Sequence, residues 1–279
     1  MNKKTIWIVM AMMLMLMLTL SACGTEKSWE NEQVTPVSQR ILSDDVRAFW
    51  TVEGDSVSGS DGTGGSAGKQ LIRVEIKKKD GGRIDKFDTN HEKLLHLMVI
   101  SKDLSYFNHI HPEYKGGGVF EIENDFPAGG EYRLIADFKP AGGDAMTKME
   151  WVRIEGESAK PIPVVPDASL DKTVDGMRVK LAIDPLAANK ELTLRFSIHD
   201  EKTGQPITDL QPYLGAIGHV VVLTEDGEQY VHVHADEGQG TGPDAVFETS
   251  FPKSGIYKIW GQFQRNNRVF TVSYVVSVP

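Results

Sequence analysis

Cysteine is almost missing from this chain: Cys23 is the only one in 279 residues, so no disulfide can form within it. Stability must come from a packed core instead. A sustained helical period is missing too, which excludes a helical bundle. The glycine-rich stretch 238–242 is not followed by the Lys-Ser/Thr pair of a phosphate-cradling loop. There is no nucleophile elbow, and no cysteine nucleophile beyond Cys23, so the chain is expected not to be an enzyme. Basic residues are outnumbered, with 30 Lys and Arg against 39 Asp and Glu and a formal charge of −9. That balance argues against nucleic acid and anionic lipid headgroups as partners.

The first charged residues, Lys3 and Lys4, precede an uncharged apolar run from Ile6 to Leu20. At 1.5 Å per residue such a run falls short of the ~30 Å hydrocarbon core, so a secretory signal is favoured over a permanent membrane span. The run ends in Leu20-Ser21-Ala22-Cys23, which resembles the lipobox read by bacterial lipoprotein signal peptidases. The resemblance implies a signal peptide over 1–22, lipidation of Cys23, and a flexible tether over 23–40 that holds the protein on the extracytoplasmic side of the cell membrane. Two or three acyl chains, at ~0.8 kcal/mol per buried methylene, suffice for stable anchoring. Removal of 1–22 takes six of the ten methionines and both Lys3 and Lys4, leaving a charge of −11 and no methionine-rich soft-metal composition.

The remainder alternates short β-branched and aromatic runs with Gly, Pro, Asn and Asp turns, the pattern of an all-β chain. Strands are predicted at 47–52, 71–76, 94–100, 119–122, 132–138 and 151–154. Residues 81–111 align without a gap on 204–234, matching Gly81 with Gly204, His96 with His219, Asp103 with Asp226, His109 with His232 and His111 with His234. Phe126-Pro127, Gly130, Tyr132 and Phe138 recur as Phe251-Pro252, Gly255, Tyr257 and Phe263. The duplication implies two tandem immunoglobulin-like β-sandwich domains, 41–155 and 167–279, with a cupredoxin-like Greek key as the alternative topology. A Pro-rich linker over 156–166 separates them, and the Gly/Ser-rich stretch 54–68 reads as a flexible loop inside the first.

Six of the eight histidines form the repeated pattern H-x12-H-x-H: His96, His109, His111, then His219, His232, His234. A hairpin about Asp226-Gly227 sets His219 opposite His234, with His232 on the diagonal and all three on one face. Cross-strand Cβ atoms about 5 Å apart allow imidazoles to converge on one ion at ~2.0–2.1 Å. Glu113 and Asp236 follow the last histidine at the same parity, as a fourth ligand or a partner for an imidazole N–H. Such donors suit copper or zinc. The competing reading is that the histidines pack and hydrogen bond. His91 and His199 lack repeat partners and read as structural or surface residues. Met98 shares the histidine face of the first copy.

Tyr213 to His219, Val231-His232-Val233-His234 and the closing stretch Phe251 to Gln264 resemble the YtkA-like group of secreted and lipid-anchored bacterial sandwich domains. The first copy has Asn90-His91-Glu92-Lys93 where the second has a Tyr-Leu-Gly-Ala segment. The resemblance implies heavy-metal handling, chiefly copper, with one three-histidine site per domain. A membrane metal transporter or another envelope protein is then the expected partner. A non-catalytic envelope interaction module is the alternative.

Overall fold

The computed structural model describes residues 41–54, 67–236 and 238–279. The signal peptide, Cys23, the tether and most of the 54–68 loop lie outside the described residues. Among the described residues no helix is long and apolar enough to cross a membrane, and the helical content is a single 3-10 turn, Ser43–Asp45.

In the first repeat, β1 (Val46–Glu53), β2 (Gly68–Lys78), β7 (Val119–Phe126) and β6 (Glu113–Gly116) form one antiparallel sheet in the order β1-β2-β7-β6. The opposing sheet runs β5 (Phe107–Ile110), β4 (Leu95–Ser101), β8 (Gly130–Pro140) and β9 (Met146–Ile154), with the two-residue β3 (Phe87–Asp88) on one end of β8. The second repeat copies this. Its first sheet is β11 (Met177–Asp184), β12 (Glu191–Asp200), β16 (Asp244–Ser250) and β15 (Val233–Ala235), extended by β10 (Asp171–Val174). Its second sheet is β14 (Tyr230–Val231), β13 (His219–Thr224), β17 (Gly255–Arg265) and β18 (Arg268–Val278). Both repeats are immunoglobulin-like sandwiches; five of the six predicted strands fall inside β1, β2, β7, β8 and β9, and the sixth, 94–100, matches β4 but begins one residue early.

Alternation explains the first sheet of each sandwich. In β2, Ile72, Val74 and Ile76 are buried while the residues between them are partly or fully exposed, so one face meets the core and the other meets water. The core of each sandwich is apolar: Ile72, Phe120, Leu134 and Phe138 in the first, Leu194, Phe196, Phe247 and Phe263 in the second. The repeated tyrosines close the turn between the sheets. Tyr132 donates its hydroxyl to the Ala128 carbonyl at 2.8 Å, and Tyr257 donates to the Lys253 carbonyl at 2.7 Å. These are the tyrosine corners of the immunoglobulin-like sandwich.

The second sheets behave differently, because every residue of β4 except Ser101 is buried. Residues 41–279 form one compact unit, and the outer faces of the two second sheets pack on each other. Met98, Ile100, Leu104 and Ile135 of the first repeat meet Val221, Leu223 and Trp260 of the second. Phe107 stacks on Trp260 with ring centroids 4.9 Å apart. At the rim, Glu228 accepts hydrogen bonds from Arg133 (3.1 Å) and from the Trp151 indole (2.8 Å). The segment between β9 and β10 carries no strand and is tied back where the Ile162 amide donates to Asp103 (2.9 Å).

Replacing Tyr132 or Tyr257 by Phe removes one buried hydroxyl bond and leaves a carbonyl without its donor. Each variant should lose about 0.5–1.5 kcal/mol in a denaturant titration, with additive losses because the corners sit in different sandwiches. Unchanged midpoints would rule out a stabilising role for the corner.

Candidate metal centre at the seam between the repeats

The hairpin register expected from Asp226-Gly227 is present where it begins. Val222 pairs with Val231 and Leu223 with Tyr230, and Gly227 takes the positive φ that its turn requires. The ladder then stops. Val233–Ala235 leaves for the other sheet, where His234 pairs with Glu248, so His234 is carried away from His219. His232 and His234 are exposed, their rings 5.8 Å apart, and among the described residues they form no metal-sized group with His219. This corrects the expectation of one three-histidine site in each domain.

In the first repeat the same crossing occurs later relative to the histidines. Met98 pairs with His109 in β5, and His111 lies just past the end of that strand. The ligand atoms of His96, His109 and His111 lie within 4.8 Å of one another. Glu113 has crossed to β6, where it is exposed and paired with Lys115 at 2.6 Å, so it faces solvent instead of the cluster. Asp236 is likewise exposed beyond β15, its amide bonded to the Val246 carbonyl. Neither carboxylate sits with the three histidines.

His219 joins the first repeat's cluster. Its ring is stacked on that of His96 at 5.7 Å and lies 4.7 Å from that of His109. His91, set aside as structural or surface, is exposed on a positive-φ loop 6.2 Å from His96 and 6.0 Å from His219 by ring centroid. Two further groups carry no signal in the histidine spacing. Gln262 reaches across from β17 to His109, and Asp137 pairs with His96 in the sheet while its Oδ1 is buried without a hydrogen-bond partner.

The Asn90 carbonyl fixes the His96 tautomer, and the orientation of the Gln262 amide sets that of His109. His96 Nε2–H donates to the Asn90 carbonyl at 2.8 Å, so a neutral His96 presents a bare lone pair at Nδ1. His109 Nδ1–H donates to Gln262 Oε1 at 2.8 Å, so its Nε2 is bare; Gln262 is oriented by its own donation to Thr271 at 3.2 Å. These two nitrogens, both acceptors, face each other at 3.1 Å. Two metal bonds of ~2.0–2.1 Å meeting at square or tetrahedral angles hold their nitrogens roughly 2.9–3.4 Å apart. His111 Nε2, also buried, has no hydrogen-bond partner.

A family described as Domain of unknown function (DUF8832) matches residues 50–156 and again 172–279. Among solved structures, the chain is similar to invasin, a bacterial integrin-binding protein, at 11% identity over 83% of this chain and 40% of that one, with a TM-score of 0.23. The chain thus spans less than half of invasin. Domains 4 and 5 of the S-layer protein SbsC are similar at 14% identity over 84% of this chain and 98% of theirs, TM-score 0.22. A marsupial T cell receptor is similar at 8% identity over 82% and 95%, TM-score 0.20. No curated protein matches the sequence.

A proton is the obvious alternative bridge between two facing lone pairs, and burial opposes it. Desolvation lowers His96 and His111 to about 4 and His219 to about 3, and it holds His109 well below 6.5. Desolvation raises Asp137 to about 6. An open chain therefore binds more protons at these histidines than the folded one between pH 6.5 and 4, so acidification favours unfolding. Asp137 works in the opposite sense between pH 6 and 3.8 and offsets one histidine. In EDTA, stability should be flat above pH 6.5 and fall toward pH 4, with His96 alone costing on the order of 3 kcal/mol. Denaturant midpoints at pH 7, 6 and 5 test this; equal midpoints would contradict neutral buried imidazoles.

Proposed function

The chain belongs to the family Domain of unknown function (DUF8832), and on that footing we propose that it is a lipid-anchored, extracytoplasmic protein that binds a divalent transition metal, copper or zinc, at His96, His109 and His111. One observation carries the reading: His96 Nδ1 and His109 Nε2 face each other at 3.1 Å, each stripped of its proton by the hydrogen bond on the far side of its ring. Facing lone pairs repel unless a cation lies between them, and burial disfavours the proton. The buried, unpaired His111 Nε2 supplies a third donor. Neutral imidazole is a common ligand for both metals. Gln262 and the Asn90 carbonyl do for this site what outer hydrogen bonds do for metal-binding histidines generally, fixing tautomer and ring orientation.

The lipobox-like segment ending at Cys23 and the YtkA-like stretches support the wider setting, a site tethered at the membrane for metal handling or sensing. A membrane metal transporter or another envelope protein is the partner this setting implies. The second reading, an interaction module with structural histidines, draws on the same hydrogen bonds: His96 and His109 each already hold a partner. It leaves the two inner nitrogens without a role.

The readings separate in calorimetry and thermal scans at pH 7. Zinc or copper should bind near-stoichiometrically and, at a free concentration 100 times Kd, stabilise the fold by about 2.7 kcal/mol. His109→Ala should weaken binding on the order of 100-fold or more and abolish that stabilisation. A dialysed protein that takes up no metal, or a His109→Ala protein that binds as tightly as the parent, would remove the proposal.

A second prediction concerns the anchor. Cys23→Ala should move the protein from the membrane fraction to the soluble extracytoplasmic fraction. Retention in the membrane would show that Cys23 is not what holds it.

A further inference from the structure

The donors of the proposed centre are closed off from water. His96 is 1% exposed, His109 is 8% exposed and His111 Nε2 is buried, so an ion needs a path inward. One exposed side chain touches the cluster: the His91 ring lies 6.2 Å from that of His96 and 6.0 Å from that of His219, nearly perpendicular to both. His91 also lines an open cleft of about 650 Å³, walled otherwise by the second repeat, together with His234 and Asp236. It therefore meets the cleft and the buried histidines at once.

The backbone holds His91 there at a cost. The Asn90 amide donates to the Lys93 carbonyl at 2.8 Å and the Lys93 amide to the Asn90 carbonyl at 3.1 Å, closing a two-residue loop whose central residues, His91 and Glu92, have φ of 46° and 65°. Such loops ordinarily take Asn-Gly or Asp-Gly, because a side chain is disfavoured at positive φ. The second repeat closes the equivalent loop in the same way between Tyr213 and Ala216, and Gly215 takes its second central position. The first repeat keeps histidine and glutamate instead, and strain of this kind concentrates at functional sites. The same loop supplies the Asn90 carbonyl that accepts the His96 Nε2–H, so it orients one ligand and presents a free imidazole beside it.

We propose that His91 is the entry residue of the metal centre: it takes a divalent cation from the cleft and passes it to the buried His96–His109–His111 cluster. A water leaves the ion as a His91 nitrogen binds, and the His91 bond breaks as His96 Nδ1 takes its place. Only ligands exchange, and no electron moves. His91 holds no position in the final set. The Asp236 carboxylate in the cleft wall draws cations to the mouth. The proposal rests on the reading of the cluster as a metal site and adds the route by which it fills.

Stopped-flow measurement of Zn²⁺ uptake by the full chain, and of its release to excess EDTA, tests this at pH 7. A residue that acts only on the path changes the barrier and not the end states, so both rates shift together and Kd stays put. His91→Asn, which tolerates positive φ, should slow uptake and release alike, by about 10-fold or more, with Kd within about twofold of the parent. His91→Gly should slow them equally while raising the Tm of the metal-free protein, because glycine relieves the loop. That second variant separates loss of the imidazole from damage to the turn. Parent-like rates in both variants would overturn the entry role and leave the centre standing. A loss of affinity in His91→Asn as large as that in His109→Ala would overturn it too, since His91 would then be a permanent ligand. A parent that binds no zinc overturns the route and the centre together.

Discussion

Burial of the second sheets on both faces is the constraint on which the rest of this structure depends. A sheet in a lone sandwich can give its outer face to water. Here the outer faces carry Met98, Ile100 and Ile135 in one repeat and Val221, Leu223 and Trp260 in the other, and all six are at most 3% exposed. Removing that much apolar surface from water, at ~25 cal/mol per Å², holds the repeats together without a disulfide. The turns fit the same purpose: Leu104, at positive φ, adds its side chain to the apolar cluster, while Gly227 at the matching turn leaves room for Trp151, whose ring atoms lie 3.0 Å from where a Cβ would be.

The seam also explains why histidine is found where an aliphatic residue would pack with less cost. His96 and His219 continue the faces that Met98 and Val221 begin, so the apolar contact turns into a polar one along the same strands. Buried polar groups are tolerated when their hydrogen bonds are complete. Each satisfied edge here faces outward, to Asn90 and Gln262, and the inner edges of the rings are turned on one another. The inner edges, 3.1 Å apart, are the part of the seam on which the proposed metal site rests.

The strands, the duplication and the sandwich were legible because they rest on local alternation and on recurring residues. Ile72, Val74 and Ile76 show a period of two, and Tyr132 and Tyr257 recur at a fixed distance from Pro127 and Pro252. The hairpin register was legible from Asp226-Gly227 because a turn sets the pairing beside it. Where that pairing ends was not, since it is decided by pairing with the distant strand β16, and no residue in 231–235 announces it. The parity that aligned Glu113 and Asp236 with the histidines therefore fails at the crossings. Asp137 and Gln262 were invisible for a different reason: they lie on β8 and β17, joined to the histidine strands by pairing at long range. One signal of the seam was present. Leu94 to Ile100 and Val220 to Leu223 do not alternate with polar residues, as strands buried on both faces do not.

Duplication sharpens the difference between the two ends of the seam. Any position on these faces occurs twice, so two identical repeats meeting in opposite directions would make the same site at both ends. The sequence breaks that identity at several pairs, among them Asp137, where the second repeat has Gln262. The Gln262 amide is neutral and hydrogen bonds to His109 across the seam at 2.8 Å, whereas the Asp137 Oδ1 is buried without a hydrogen-bond partner. The crossing points differ as well, since His109 is held in β5 while His232 has already left β14. The first end is consequently closed and buried, the second open to a cleft. One fold used twice thus presents two chemically different polar ends on a single apolar seam.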